Sequence, residues 1–569
     1  MLPPGLETPR QVQAYYDQRY NAYIDSGEYF PFIYPWATLG PLLCFVYLLF
    51  DHRQSPTLQA LRFPIFGVLV AFSAWTIFNV KARSAPAAYG VGLVSAWGTL
   101  WIASLMFFND CQRDFQRLER ADEAALHKAL QYQNGTTVTG PESDGKLQTT
   151  LSSAYATQLP CQRTGPVFWQ SYPTQPFLSR LDWIMDLFCN FRGIGWNFQT
   201  SGIPKPPKYI ELQLLGYDVV EEDEQDMTSP SSTSTTRNNN NPKLIKTVSY
   251  TGITRFITTS RHHLLQYIIP RLILQSLALD IIKTLMHHDP YFWGYTDSGP
   301  PLWLHHLLPQ NNNTILTPII LQTYRLLLSL LGILLALNTI FRLSPLLFCQ
   351  ILRPQILGLR GEPLLNPVDF FGNFFPQICR HGLAGWWGGF WHQTFRFAFT
   401  CPTERILEFW CGGQQQHMEK KKKTARGKMV GVMVAFGLSG FLHACGSWTQ
   451  LGDTRPVRGP WSFFMLQAVG IIVQTGIAGY MKARGWREKI PSWIRGMGNF
   501  AVTMIWLYWT APLLVDDFAR GGVWLYEPLI ISPLRILGFG AYDDSGWNLW
   551  SGLVFWRSGR GWRDTGLAF

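Results

Sequence analysis

The sequence predicts an all-α, polytopic integral membrane protein, and three observations carry that prediction. The chain is 47% hydrophobic while only 15% of its residues are charged, well below the share usual in soluble proteins. Several uncharged runs reach the roughly 20 residues that a helix needs to cross a bilayer. The remaining charges gather between those runs and sum to +11. In a chain of this kind such an excess marks basic cytosolic loops, not a nucleic-acid partner. The nine cysteines are scattered, with no C-x-x-C pair or zinc spacing, so neither a disulfide framework nor a metal site is expected.

Taken in order, residues 1–29 form a polar N-terminal segment of mixed charge that does not read as a cleaved signal peptide. Residues 30–108 hold the first three transmembrane helices, at 30–50, 64–80 and 87–108, joined by short links. Residues 109–261 are polar and rich in Lys and Arg, which assigns them to the cytosol. Within them, 110–133 is expected to be a surface helix, 134–155 is Gly/Ser/Thr-rich, 221–226 is acidic, 227–242 is low-complexity, and 221–246 reads as a disordered linker. Residues 180–198 (RLDWIMDLFCNFRGIGWNF) differ in being amphipathic and aromatic. They fit best a membrane-surface helix with a tight turn; the alternative is a cytosolic platform beside a ligand headgroup.

Residues 263–286 form a span with three charges, of which Arg271 and Lys283 are expected to snorkel and Asp280 to face the bundle. Residues 287–313 read as lumenal. His287, His288, His305 and His306 stand there in adjacent pairs, which point apart on a helix and so do not suggest a metal site. Asn312 begins a glycosylation sequon. Residues 324–341 span. Residues 342–428 are short apolar pieces broken by Pro and Gly, with a basic run at 420–423, and read as re-entrant or in-plane helices. Such backbone is tolerated at membrane depth only where protein or a wet cavity satisfies it. Spans follow at 429–451, 461–480 and 497–515, while 524–540 and 547–556 either cross or lie in plane. The total is about eight to ten helices. The positive-inside rule then puts the N-terminus in the lumen and 109–261, 342–428 and 481–496 in the cytosol.

Two places hold chemistry. Residues 385–396 read GWWGGFWHQTFR. Read as a helix, they align Gly388, His392 and Arg396 on one face, with Trp387, Trp391 and Phe395 beside it. Composition alone also fits an interfacial helix in an aromatic belt. The second place is His443, about 14 residues into its span and so roughly 21 Å along it. Ser439, Gly440, Gly446, Ser447 and Gln450 share its face. An ionisable side chain at that depth marks either a functional site or a hydrogen-bonded packing face. No serine-nucleophile or zinc motif accompanies it. A lone histidine suits general-base catalysis, in which an acceptor hydroxyl attacks an activated acyl group.

WWGGFWHQTFR followed by SGFLHACG resembles the wax-synthase-like branch of the membrane-bound O-acyltransferase superfamily, and most of all its fungal members that acetylate terpenoid-type secondary metabolites. RGIGWNF, DPYFWG and WLYEPLIISPLRILGFG are similar to that branch as well. The resemblance implies a catalytic core over 262–569 in which helices enclose a catalytic tunnel. His443 matches the family's catalytic histidine and His392 its second signature position. Trp387, Trp391, Gln393, Arg396, Ser439 and Ser447 are then the expected substrate-binding residues. Gly389 stands where the family usually has Arg or Lys, and Arg396 is the substitute for that charge. Acyl-CoA, with acetyl-CoA favoured, is the implied co-substrate; no metal or bound cofactor is called for. The partners are a lipophilic alcohol and the bilayer, and the implied location is the endoplasmic reticulum. Bulky Trp386, Trp387, Phe390 and Trp391 would narrow the tunnel towards acetyl. A long-chain donor making wax or sterol esters is the alternative within enzymes, and a membrane transporter the alternative outside them. No internal repeat of the transporter kind is visible.

Overall fold

The computed structural model describes residues 2–121, 167–203, 261–306, 316–410 and 424–526, most of 528–569 and a few positions between 205 and 214. Asn312, the linker 221–246, the stretch 134–155 and the basic run 420–423 lie outside the described residues. The main helices are α1 (Pro9–Asp25), α2 (Leu39–Leu48), α3 (Pro56–Asn79), α4 (Ala85–Ile102), α5 (Phe177–Cys189), α6 (Arg261–His287), α7 (Leu316–Leu346), α8 (Phe374–His381), α9 (Arg396–Trp410), α10 (Ala425–Thr449), α11 (Ser462–Ala483), α12 (Ser492–Thr510) and α13 (Pro512–Arg520). Among the described residues, six helical runs are long and apolar enough to cross a membrane: Pro56–Asn79, Ala85–Phe107, Leu316–Gly361, Ala425–Thr449, Val457–Ala483 and Ser492–Arg520. The chain is therefore an all-α polytopic membrane protein. Two further helices that the sequence suggests as spans, α2 and α6, are not among the six; α2 belongs to a shorter apolar run, Trp36–Leu48.

The centre of the bundle is the pairing of α4 with α10, and small residues make it possible. A Cβ on Gly92 would stand 1.9 Å from the carbonyl oxygen of Cys445. At that bare contact Thr449 Oγ1 accepts from Gly92 N at 3.1 Å and donates to the Ala88 carbonyl at 2.6 Å. Close approach of this kind is how helices associate in lipid, where apolar burial offers little between them.

Polar contacts collect at two ends. At one, His52 meets Asp110, Arg120 meets Glu362, and Arg117 meets Asp182 and Glu119. At the other, Arg83 pairs with Asp17, Arg325 with Asp289, and the Tyr16 hydroxyl donates to the Arg520 carbonyl.

Four expectations change. The first span does not begin at residue 30. Ile33–Tyr34 pairs with Gly566–Ala568, and Phe30–Pro31 with Val80–Lys81, so these residues are extended and helix α2 has only 10 residues. In the described part of 110–133 the expected surface helix is found only at Cys111–Asp114, and Arg117–Arg120 is instead a strand paired with Val167–Gln170; 122–133 lie outside the described residues. Residues 524–540 form only the short turns Val523–Leu525 and Pro533–Ile536. Lys283 does not snorkel; it is buried and donates to the Trp524 carbonyl. Asp280 faces inward as expected and accepts from Ser532 Oγ and Leu534 N.

Gly92→Ala is expected to force α4 off α10 and to cost about 1–3 kcal/mol. Gly90→Ala, whose Cβ would meet open space, is expected to leave thermal unfolding in detergent unchanged. A Gly92 variant as stable as the Gly90 variant would contradict this packing.

Candidate active site

The stretch 385–396 is not one helix. Helix α8 ends at Gly382, whose φ of +59° turns the chain back, and Leu383–Gly385 leads into a wide π turn over Trp386–Phe390. The glycines serve α8. A Cβ on Gly385 would stand 2.0 Å from the Gln377 carbonyl oxygen, and one on Gly389 2.2 Å from the Gln377 side chain. Trp391 is then extended, with φ −64° and ψ 150°, and helix resumes only at Arg396. Gly388, His392 and Arg396 therefore do not share a helical face.

The break is held by Gln393. Its amide nitrogen donates to the carbonyls of Trp387 (2.9 Å) and Trp391 (2.6 Å), and its Oε1 accepts from Arg396 Nη1 at 2.9 Å. Broken backbone at this depth must be satisfied from within the protein, and this side chain does so. Both of its amide hydrogens are thereby engaged, which removes Gln393 as a donor to a substrate. Arg396 also donates to the Gly388 carbonyl.

Opening the helix turns His392 inward. Its ring stacks on Phe370 at 5.1 Å and meets Phe395 edge-on at 5.7 Å. Its Nδ1 is buried and has no hydrogen-bond partner among the described residues. Burial, then the neighbouring His443 and Arg192, hold its imidazole at about 3, far below the ordinary range.

His443 lies on α10. Its Nδ1 is 2.8 Å from the Ser439 carbonyl oxygen. A carbonyl only accepts, so Nδ1 carries the proton and Nε2 keeps its lone pair. The ring sits 4.4 Å from that of Phe464.

His392 and His443 line one cavity of about 2080 Å³, together with Trp387, Trp391, Arg396 and Ser439. The lining reaches from Lys428, in the first turn of α10, to Lys283 and Trp524 at the opposite end. Gln393 also touches the cavity, but Ser447 is fully buried outside the lining, so the shared helical face overstates its reach. Among the described residues no three His, Cys, Asp or Glu side chains form a metal-binding group.

One neighbour is not evident from the motif alone. The RGIGWNF segment and the preceding Phe191 pack behind it: Phe191 and Phe395 both meet Trp97, at 5.2 and 4.4 Å, Phe198 meets Phe397 at 4.6 Å, and the Arg192 guanidinium lies 5.4 Å from the Phe370 ring centre. Burial pushes Arg192 down to about 10. The tight turn expected here is present, with Gly193 and Gly195 at φ +62° and +75°. It is anchored through Trp196 Nε1, which donates to Asp186 beside the buried Arg117. Asp182 in that cluster is held at about 2, where burial raising it is outweighed by Arg117 and Arg360.

Residues 368–466 match the model of the Membrane bound O-acyl transferase family. This interval contains the broken helix, His392 and His443. The acetyltransferase ataH of Aspergillus terreus is 29% identical over 150 residues, covering 25% of this chain and 46% of that protein. The O-mevalon transferase yanI of Aspergillus niger is 22% identical over 350 residues, 59% of this chain and 61% of that protein. The O-mevalon transferase macI of Penicillium terrestre is 25% identical over 342 residues, with 58% and 61% covered. The chain thus spans between 46% and 61% of the length of these relatives. No solved structure matches it.

Gln393→Ala leaves the Trp387 and Trp391 carbonyls without this donor and takes one acceptor from Arg396. It is expected to destabilise the protein by about 1–3 kcal/mol and to make residues 386–396 accessible to limited proteolysis before global unfolding. A variant as resistant as the parent would show that the break is held by something else.

Proposed function

We propose that this chain, whose residues 368–466 match the model of the membrane bound O-acyl transferase family, transfers an acyl group from acyl-CoA to the hydroxyl of a lipophilic alcohol. The observation that carries the reading is the Nδ1 hydrogen bond of His443 to the Ser439 carbonyl, which leaves Nε2 as a base within a large cavity. Nε2 takes the proton of the acceptor hydroxyl as its oxygen attacks the thioester carbon. The tetrahedral intermediate collapses with loss of the CoA thiolate, which recovers that proton from His443. The products are an ester and CoA. His392, in the same cavity, is assigned to hold the thioester and its developing oxyanion, with the Trp391 N–H as the other candidate once the Gln393 amide is engaged.

Acetyl is the favoured donor group, supported by the name of the Aspergillus terreus relative. A terpenoid-type acceptor and an endoplasmic-reticulum location belong to the same reading. The cavity of about 2080 Å³ is well above the roughly 300–1,000 Å³ of ordinary ligand sites. That size supports a bulky lipophilic acceptor, and it is also the one observation that favours the second reading, a long-chain donor.

His443→Ala is expected to lower ester formation by about 10²–10⁴, and His392→Ala by about 10²–10³, with membrane abundance unchanged in both. Microsomes given radiolabelled acetyl-CoA or palmitoyl-CoA and a panel of terpenoid, sterol and fatty alcohols provide the test. Full activity in His443→Ala would overturn the mechanism.

A further inference from the structure

Resting on that reading, we propose that Trp387, latched by Gln467, is the wall that limits the length of the acyl group accepted at His443. Four bulky aromatics crowd the sequence here, and the structure separates their positions. Trp386 and Phe390 are buried in a cluster with Phe370, Phe371 and Ile378, against which Trp387 and Trp391 also pack; the three tryptophans line the cavity and Phe390 does not. Trp387 is the one of them that reaches the rings beside His443. It lines the cavity and meets Phe436, Phe463 and Phe464, with ring centres at 5.6, 6.1 and 5.7 Å. Phe464 is the ring that lies against His443. The indole therefore stands one ring away from the base.

The indole is also fixed. Trp387 Nε1 donates to Gln467 Oε1 at 3.4 Å. Gln467 is fully buried, and its own amide donates to Thr510 Oγ1 at 3.0 Å and to the Phe463 carbonyl at 3.4 Å. Thr510 in turn donates to the Trp506 carbonyl. A buried amide with donors and acceptor all engaged holds one geometry, so the wall does not swing aside at low cost. A local wall is needed for short-chain selection, because a cavity of about 2080 Å³ excludes no acyl chain by total volume. With the thioester carbon beside His443 Nε2, an acyl chain directed past Phe464 meets the indole, which stands one ring from the base. Gln467 acts here as a positioning residue.

The test measures initial rates with acetyl-, hexanoyl- and octanoyl-CoA on one accepted alcohol, in membranes holding the full chain. The readout is the octanoyl-to-acetyl ratio, which a general loss of fold does not raise. Wild type is expected to favour acetyl. Trp387→Ala is expected to raise the ratio by about tenfold or more, the scale on which pockets discriminate single methylenes. Gln467→Leu, which removes the acceptor, is expected to raise it by less. Should Trp387→Ala yield no folded protein, Phe436→Leu reads the opposite side of the same wall and is expected to shift the ratio in the same direction. An unchanged ratio in the folded variants, or a wild type that uses octanoyl as well as acetyl, overturns the proposal while leaving acyl transfer intact. A wild type that transfers no acyl group from any donor overturns acyl transfer itself, and the proposal with it.

Discussion

The site depends on one side chain that never has to touch a substrate. Gln393 bonds two carbonyls that the broken helix leaves open, and it holds Arg396 with its remaining oxygen. In water such carbonyls would find solvent. Inside a membrane bundle they have only protein, so the break exists because the amide is there. From it follow the extended Trp391, the inward turn of His392 and the separation of Trp387 from Trp386. Glycines do the complementary work by letting α8 close behind the break at Gly385 and Gly389.

The scaffold brings this element to His443 by packing and charge placement. The α4–α10 contact fixes α10 through Gly92 and Thr449. Ion pairs at each end then tie the connecting segments without placing charge across the bundle. The buried Arg117 cluster matters most for the site, because it carries the RGIGWNF turn that packs Phe191 beside Phe395 and sets Arg192 over Phe370. Breaking a buried pair of this kind strands an uncompensated charge, which makes the platform rigid as well as close.

Much of this is legible in the sequence. Uncharged runs show the bundle, and the small residues around His443 show that its helix has a close neighbour. The helix break is hidden, because the spacing of Gly388, His392 and Arg396 satisfies a helical pattern as well as it does the true geometry. What decides between them is whether Gln393 reaches its own backbone carbonyls, which no periodicity records. The short first helix is hidden for a related reason: Ile33–Tyr34 pairs with a strand more than 500 residues away. Ser447 shows the opposite error, where a shared helical face suggests access that packing denies. Arg192 reaches the site only through a contact between segments about 180 residues apart, so its motif is visible in the chain while its location is not.

The central claim is that an alcohol and an acyl thioester meet at His443 and exchange an acyl group. Its most direct test is the stoichiometry of the purified protein in lipid vesicles, with CoA thiol and ester measured together as acyl-CoA and a lipophilic alcohol are supplied singly and jointly. The account predicts equal amounts of CoA and ester, formed only when both substrates are present. CoA released without ester, or movement of the alcohol across the vesicle with no ester formed, would contradict it.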